Sequence, residues 1–122
     1  MRLNIDPQKP IFICISEWLE DAIIGDIFNE ESQVPSSTEI SIEYNINPAT
    51  SLKGVNLLVE SGILYKKRGL GMFVATGARE KLIEQRRRQF FDEYIKPLIR
   101  EAERLEITVS ELKTMIEGGY KN

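Results

Sequence analysis

Between Ser36 and Gly71 the chain spaces hydroxyls, amides and cations in a way that suits contact with a polyanion. Ser36 and Thr38 come first, then Asn47, Ala49, Thr50 and Lys53, then Lys66, Lys67, Arg68, Gly69 and Gly71. Hydroxyl and amide groups donate to phosphate oxygens, Lys and Arg add charge, and glycine lets a backbone come close. Covalent chemistry fits the same residues badly. The sequence has no histidine, the commonest general base, and its Ser, Lys and Glu residues form no evident nucleophile–base pair, so no enzyme activity is expected. The one cysteine, Cys14, cannot close an internal disulfide, and without histidine a zinc site is not expected. Cys14 lies in the run Ile11-Phe12-Ile13-Cys14-Ile15 and reads as a small buried or half-buried filler. No metal and no cofactor is expected. Gly69-Leu70-Gly71 is not followed by Lys-Ser/Thr and opens no helix, which sets it apart from a phosphate-binding loop.

Charge argues against a polyanion when taken as a whole. The net charge is −3, with six Lys/Arg and ten Asp/Glu in residues 1–76 and ten Lys/Arg and nine acids in residues 77–122. The local distribution is more favourable. Four of the six early cations fall between Lys53 and Arg68, where Glu60 is the one acid, and the acids gather between Glu17 and Glu31. An ordinary solvated surface remains the plain alternative for Lys53, Lys67 and Arg68. No apolar run reaches the length of a membrane span, and no secretory signal pattern opens the chain, so a cytoplasmic protein without membrane contact is expected.

These side chains need elements to position them. Residues 1–9 look extended and weakly ordered. Pro10 suits the first turn of a helix, and Phe12, Ile15, Leu19, Ala22 and Ile23 recur at helical spacing, with Trp18 on the border of the stripe. That helix is expected to end near Gly25-Asp26, followed by a polar loop to Pro35 that turns Val34 inward. Ser36 and Glu39 have capping-box spacing and predict a second helix with Ile40 and Tyr44 facing the core. Asn45 suits a left-handed turn, and Asn47-Pro48 opens a third helix whose free first-turn N–H groups would face a phosphate. Gly54 in that helix permits close approach of another helix or of a nucleic-acid backbone. Ser61-Gly62 closes it. Ile63–Lys67 and Met72–Ala75 are short strand-like runs joined by a glycine hairpin tip. A helix, a turn, a helix and a basic hairpin in this order form a known device for reading duplex DNA.

After Gly77 the chain is charged and helical, and Pro97 is expected to kink or split the helix after Ile95-Lys96. Thr108 and Glu111 form a second capping box, starting a last helix that Gly118-Gly119 should end. Phe90, Phe91, Tyr94, Ile95, Leu98 and Ile99 are too many apolar residues for one helix to bury, and pairing with a second copy would cover them. Packing back on Phe12, Ile15 and Trp18 is the alternative. Arg86-Arg87-Arg88 point in different directions on a helix and read as solvated charge. The expected fold is mainly α with a small β wing: a winged helix-turn-helix DNA-binding domain over residues 1–76 and a helical dimerisation tail over residues 77–122.

Residues 10–76 resemble the winged-helix domain of the GntR family of bacterial repressors. The markers are Pro10-Ile11, Val34-Pro35-Ser36, Asn47-Pro48-Ala49-Thr50, Leu58 with Ser61-Gly62-Ile63-Leu64, and Arg68-Gly69-Leu70-Gly71 with Phe73-Val74. The Asn-Pro-x-Thr turn and the short two-helix tail resemble the YtrA-type branch. The resemblance implies a homodimeric transcriptional regulator, usually a repressor, on a roughly palindromic duplex operator, with neighbouring genes often encoding transporters. It implies a phosphate contact by Ser36, whose plain role is the N-cap. It implies that Thr38, Leu52 and Leu70 stand where basic residues are usual, Leu70 at the wing tip that reaches the minor groove, with Lys66, Lys67 and Arg68 beside it. A small-molecule effector is compatible with this reading, though no residue names one. The alternative is a degenerate winged-helix protein-interaction module, with Leu52, Leu57 and Leu70 in an apolar patch.

Overall fold

The computed structural model describes residues 2–122. They fall into two compact units, residues 2–84 and 85–122.

The first unit is built on three helices: α1 (Ile11–Ile24), α2 (Ser37–Tyr44) and α3 (Pro48–Glu60). A hairpin of β1 (Leu64–Lys67) and β2 (Gly71–Val74) follows. The strands are antiparallel, with Leu64 opposite Val74 and Lys67 opposite Gly71. Ile15, Leu19, Ile23, Ile40, Val55, Leu58, Ile63, Leu64 and Val74 form the core, joined by Val34 from the preceding loop. Each fully buried aliphatic side chain contributes about 1.5–3 kcal/mol relative to exposure. Trp18 closes one side of the core, meeting Phe28 and Tyr44 edge-on at centroid distances of 6.3 and 5.9 Å.

The expected capping box is present: Ser36 Oγ accepts from Glu39 N and Ser36 N donates to Glu39 Oε1. Asn45 takes the left-handed turn at φ 53°. Pro10 proves to be the N-cap of α1, with ψ 144°, and the first helical residue is Ile11. Two segments are more ordered than their sequences suggested. Leu3 is buried in the core, and its N–H reaches Tyr44 Oη at 3.4 Å, so the N-terminal segment is anchored. The polar loop before α2 runs alongside β2: Glu31 N donates to Val74 O, Val74 N to Ser32 O and Val34 N to Met72 O, which gives the wing a short third edge.

Helix α4 (Ala78–Phe90) begins in the first unit, where Ala78 and Leu82 enter the core. Arg79 Nε donates to Ile24 O at 2.9 Å, and Lys81 Nζ donates to Ser61 O. In the second unit Pro97 does not split the helix. Five residues of π-helix, Phe91–Ile95, carry the chain into α5 (Lys96–Arg104), with Lys96 N–H donating to Phe91 O five residues back. Proline lacks an N–H and its ring crowds the carbonyl four residues earlier, so a locally widened turn accommodates it. Helix α6 (Val109–Lys121) starts at the expected Thr108–Glu111 capping box. It runs through Gly118 and Gly119 instead of ending there. Ala102 is the one buried residue of this unit, so it has almost no core of its own. Among the described residues, no helix is long and apolar enough to cross a membrane.

Candidate nucleic-acid interface

Three elements of the first unit carry the residues singled out in the sequence: the start of α2, the outer face of α3 and the wing. Two close contacts set α3. Ser41 Oγ of α2 donates to Ser51 Oγ of α3 at 2.7 Å, and both serines are buried. On the other side, Gly54 lies against α1: a Cβ there would sit 2.8 Å from Phe12 O and 3.0 Å from Ile15 Cβ. The close approach that Gly54 permits is therefore to a helix. The serine pair is non-local, and the sequence reading passed over it.

Ala49, Leu52, Lys53, Asn56 and Glu60 are the exposed positions of α3 after Pro48. Their i, i+3, i+4, i+7 spacing marks one outward face. Asn56 was not singled out in the sequence, although its place seven residues after Ala49 would have identified it. Asparagine can pair two hydrogen bonds with an adenine edge, and Ala and Leu can meet a thymine methyl.

The first turn of α3 differs from expectation. Pro48 has no N–H, Ala49 N donates to Asn47 Oδ1 at 2.8 Å, and Thr50 N and Ser51 N both donate to Asn47 O. The cap thus occupies the N–H groups that had been expected to face a phosphate. What the turn retains is the positive end of the helix dipole and the Thr50 side chain, which is half-buried. Ser36 keeps more capacity. Its Oγ accepts from Glu39 N at 3.0 Å, which leaves the hydroxyl proton to donate elsewhere. Thr38 is exposed in the first turn of α2.

The cations are not equivalent. Lys53 Nζ lies 4.1 Å from the centroid of the Phe12 ring, which ties it to α1. Lys67 Nζ lies 4.3 Å from the Phe73 centroid and 5.9 Å from that of Tyr65. On the same face, Glu31 accepts from Tyr65 Oη and from Thr76 Oγ1. Those two hydrogen bonds, Thr76 first, with Lys67 a smaller contributor, hold the Glu31 carboxyl below its ordinary pKa. The hydrogen bond to Glu31, with burial and the Glu31 charge behind it, pushes the Tyr65 phenol up. Lys66 points to the opposite face of the strand, and Arg68 stands at the turn. Both are exposed, and neither makes an ion pair among the described residues. The wing tip is braced by a residue the sequence reading missed: Gln33 Nε2 donates to Leu70 O at 2.7 Å.

In the second unit Phe90, Phe91, Tyr94, Leu98 and Ile99 are exposed and Ile95 is half-buried. Within the first unit, Ile15 and Trp18 are part of the core and Phe12 is half-buried.

No family model matches the chain. It is 27% identical to the HTH-type transcriptional repressor YtrA of Bacillus subtilis, over 98% of both chains. A transcriptional regulator of the GntR family from Bacteroides thetaiotaomicron has the same fold, with a TM-score of 0.70 and 29% identity over 91% of this chain and 96% of that one. BusR of S. agalactiae, solved in complex with its busAB-promotor DNA, matches at a TM-score of 0.55 and 26% identity, over 89% of this chain and 54% of that one. In fold, a winged helix-turn-helix with a helical tail, and in sequence over 98% of its length, this chain is similar to the YtrA repressor and to DNA-binding transcriptional regulators of the GntR family.

Proposed function

We propose that the chain is a cytoplasmic, homodimeric repressor that binds a roughly palindromic operator upstream of a transporter-type operon. In this reading residues 1–76 bind DNA and residues 77–122 dimerise. The observation that carries it is the outward face of α3, with Ala49, Leu52, Lys53 and Asn56 in helical register beside a braced wing whose Lys66 and Arg68 have no ion pair among the described residues. Ser36, Thr38, Asn47 and Thr50 flank that face at the starts of α2 and α3, and Gly69 and Gly71 let the wing come close to a backbone. The dimer is supported by the exposed aromatic and aliphatic side chains from Phe90 to Ile99, which a two-fold partner would cover. Two-fold symmetry in the protein would be matched by symmetry in the operator. The transporter operon follows from the resemblance to the YtrA-type branch.

Fluorescence anisotropy of the full chain on its own upstream DNA and on a scrambled duplex, at two salt concentrations, tests this. Tighter binding to its own DNA that weakens with salt is the expected result. Each phosphate contact removed by substitution should flatten the log–log salt slope by about 0.9. Equal weak binding to both duplexes would overturn operator reading. It would favour a second function, protein interaction, for which the exposed Ile42 of α2, Leu52 of α3 and Leu70 of the wing are the specific support.

A further inference from the structure

Leu70 is the apolar side chain of the wing tip, 65% exposed, and its side chain takes part in none of the contacts above. The turn that carries it is well defined. Gly69 and Gly71 on either side adopt φ of 79° and 125°. Leu70 N donates to Lys67 O at 2.9 Å, and Leu70 O accepts from Gln33 Nε2 at 2.7 Å. The Gln33 amide packs so closely that a Cβ on Gly71 would lie 2.6 Å from Nε2. Both backbone groups of Leu70 are therefore engaged. A loose tip would let a leucine fold back on Met72 or Phe73, which are only half-buried, but this tip holds it out into water. Lys66 and Arg68 stand close by without ion pairs among the described residues. An apolar point just after a run of cations, on a braced narrow hairpin, has the chemistry of a side chain that enters a nucleic-acid groove. The cations hold phosphates, and the apolar tip meets sugars and the edges of stacked bases.

We infer that Leu70 is a minor-groove wedge that partly unstacks a base step in duplex DNA and so selects flexible sequence without hydrogen-bonding to any base. The inference rests on the duplex-binding reading above. Its content is a specific selectivity. A basic side chain at the tip would favour the narrow, electronegative groove of an A-tract. A leucine gains nothing from that potential. It gains where opening the step costs least, at pyrimidine–purine steps such as TA. The resulting preference is for deformability and falls at positions where no base-specific contact exists.

The test uses the full chain and two short duplexes of identical base composition, one of alternating TA steps and one an A-tract. Anisotropy gives the affinity ratio, and 2-aminopurine at the TA steps reports unstacking. The wild type should favour the TA duplex by about tenfold, within the range that sequence-dependent deformation spans. The 2-aminopurine signal should rise on binding. Leu70→Ala should bring the ratio toward one and abolish the rise, with A-tract affinity and thermal midpoint unchanged. Leu70→Arg should invert the preference. An unchanged ratio and an unchanged 2-aminopurine signal in Leu70→Ala would overturn the wedge while leaving duplex binding intact. If the wild type binds neither duplex in a salt-sensitive way, the duplex-binding reading itself fails, and the wedge with it.

Discussion

Gly54→Ala is a simple perturbation in which two known effects oppose each other. In the middle of a helix, alanine is favoured over glycine by about 0.8–1.0 kcal/mol. The structure sets a larger cost against that gain. The new methyl would lie 2.8 Å from Phe12 O and 3.0 Å from both Ile15 Cβ and Cγ2. One of those atoms belongs to the backbone of α1 and the others to a side chain with 0% exposure, so no flexible group is available to yield. Overpacking of this kind costs about 1–3 kcal/mol, and two contacts against rigid groups belong toward the upper end of that range. The net is a loss of about 1–2 kcal/mol. For a unit of this size that lowers the thermal midpoint by roughly 5–15 °C. The assay is thermal denaturation followed by circular dichroism, with Gly118→Ala as the control. Nothing lies within 4 Å of a Cβ at Gly118 in α6, so there the propensity gain should stand alone and that variant should lose no stability. A Gly54→Ala protein that melts at or above the wild-type midpoint would refute the close α1–α3 approach. Because strain is relieved by moving α3 outward, operator affinity measured well below the midpoint should fall as well.

Other outcomes follow from contacts described above. Ser41→Ala strands the buried Ser51 hydroxyl and should cost about 1–3 kcal/mol in denaturant unfolding, with part of the loss recovered in the Ser41→Ala/Ser51→Ala double variant. If the losses simply add, the hydrogen bond is not what couples the two helices. The Glu31 carboxyl is held below its ordinary value by Thr76 and Tyr65, so its stabilising contribution is complete above about pH 4.5 and is lost as pH falls through the lower folded-state value. The midpoint difference between the wild type and Glu31→Gln should therefore shrink toward acid, and a difference constant with pH would count against the clamp. Leu98→Glu places a charge in the exposed apolar stretch of the tail and should weaken self-association by about tenfold or more in sedimentation velocity. An unchanged sedimentation profile would place the dimer contact elsewhere.

The local signals in this sequence proved dependable. Ser36 with Glu39, Thr108 with Glu111 and Asn47-Pro48 each state a helix start through groups only a few residues apart, and all three starts lie where they were expected. The errors share a different character. The Ser41–Ser51 hydrogen bond and the Gln33 brace depend on pairings across ten and thirty-seven residues, which local spacing does not encode. The loop before α2 has no alternating pattern because its partner is an edge that needs only its backbone. Leu3 lies between Arg2 and Asn4 in a short segment with no clear period, too weak a pattern to indicate burial. Helix α6 continues through Gly118 and Gly119 because glycine only permits an end and does not impose one. The free N–H groups expected at the start of α3 were lost to Asn47, the same residue that made the helix start recognisable.

The π-helical stretch at Phe91–Ile95 also bears on how the tail tolerates changes in length. A π turn holds one residue more than the α-helix around it and absorbs that residue locally. Each residue of an α-helix turns the chain by about 100°, so an insertion or deletion elsewhere in α4 or α5 would rotate every later side chain away from its face. Deleting one residue within 91–95 would instead let the chain relax to regular α-helix and leave Leu98, Ile99 and Ala102 in their present phase with Phe90. The tail therefore has one site where its length can change by a residue without scrambling the surface it presents.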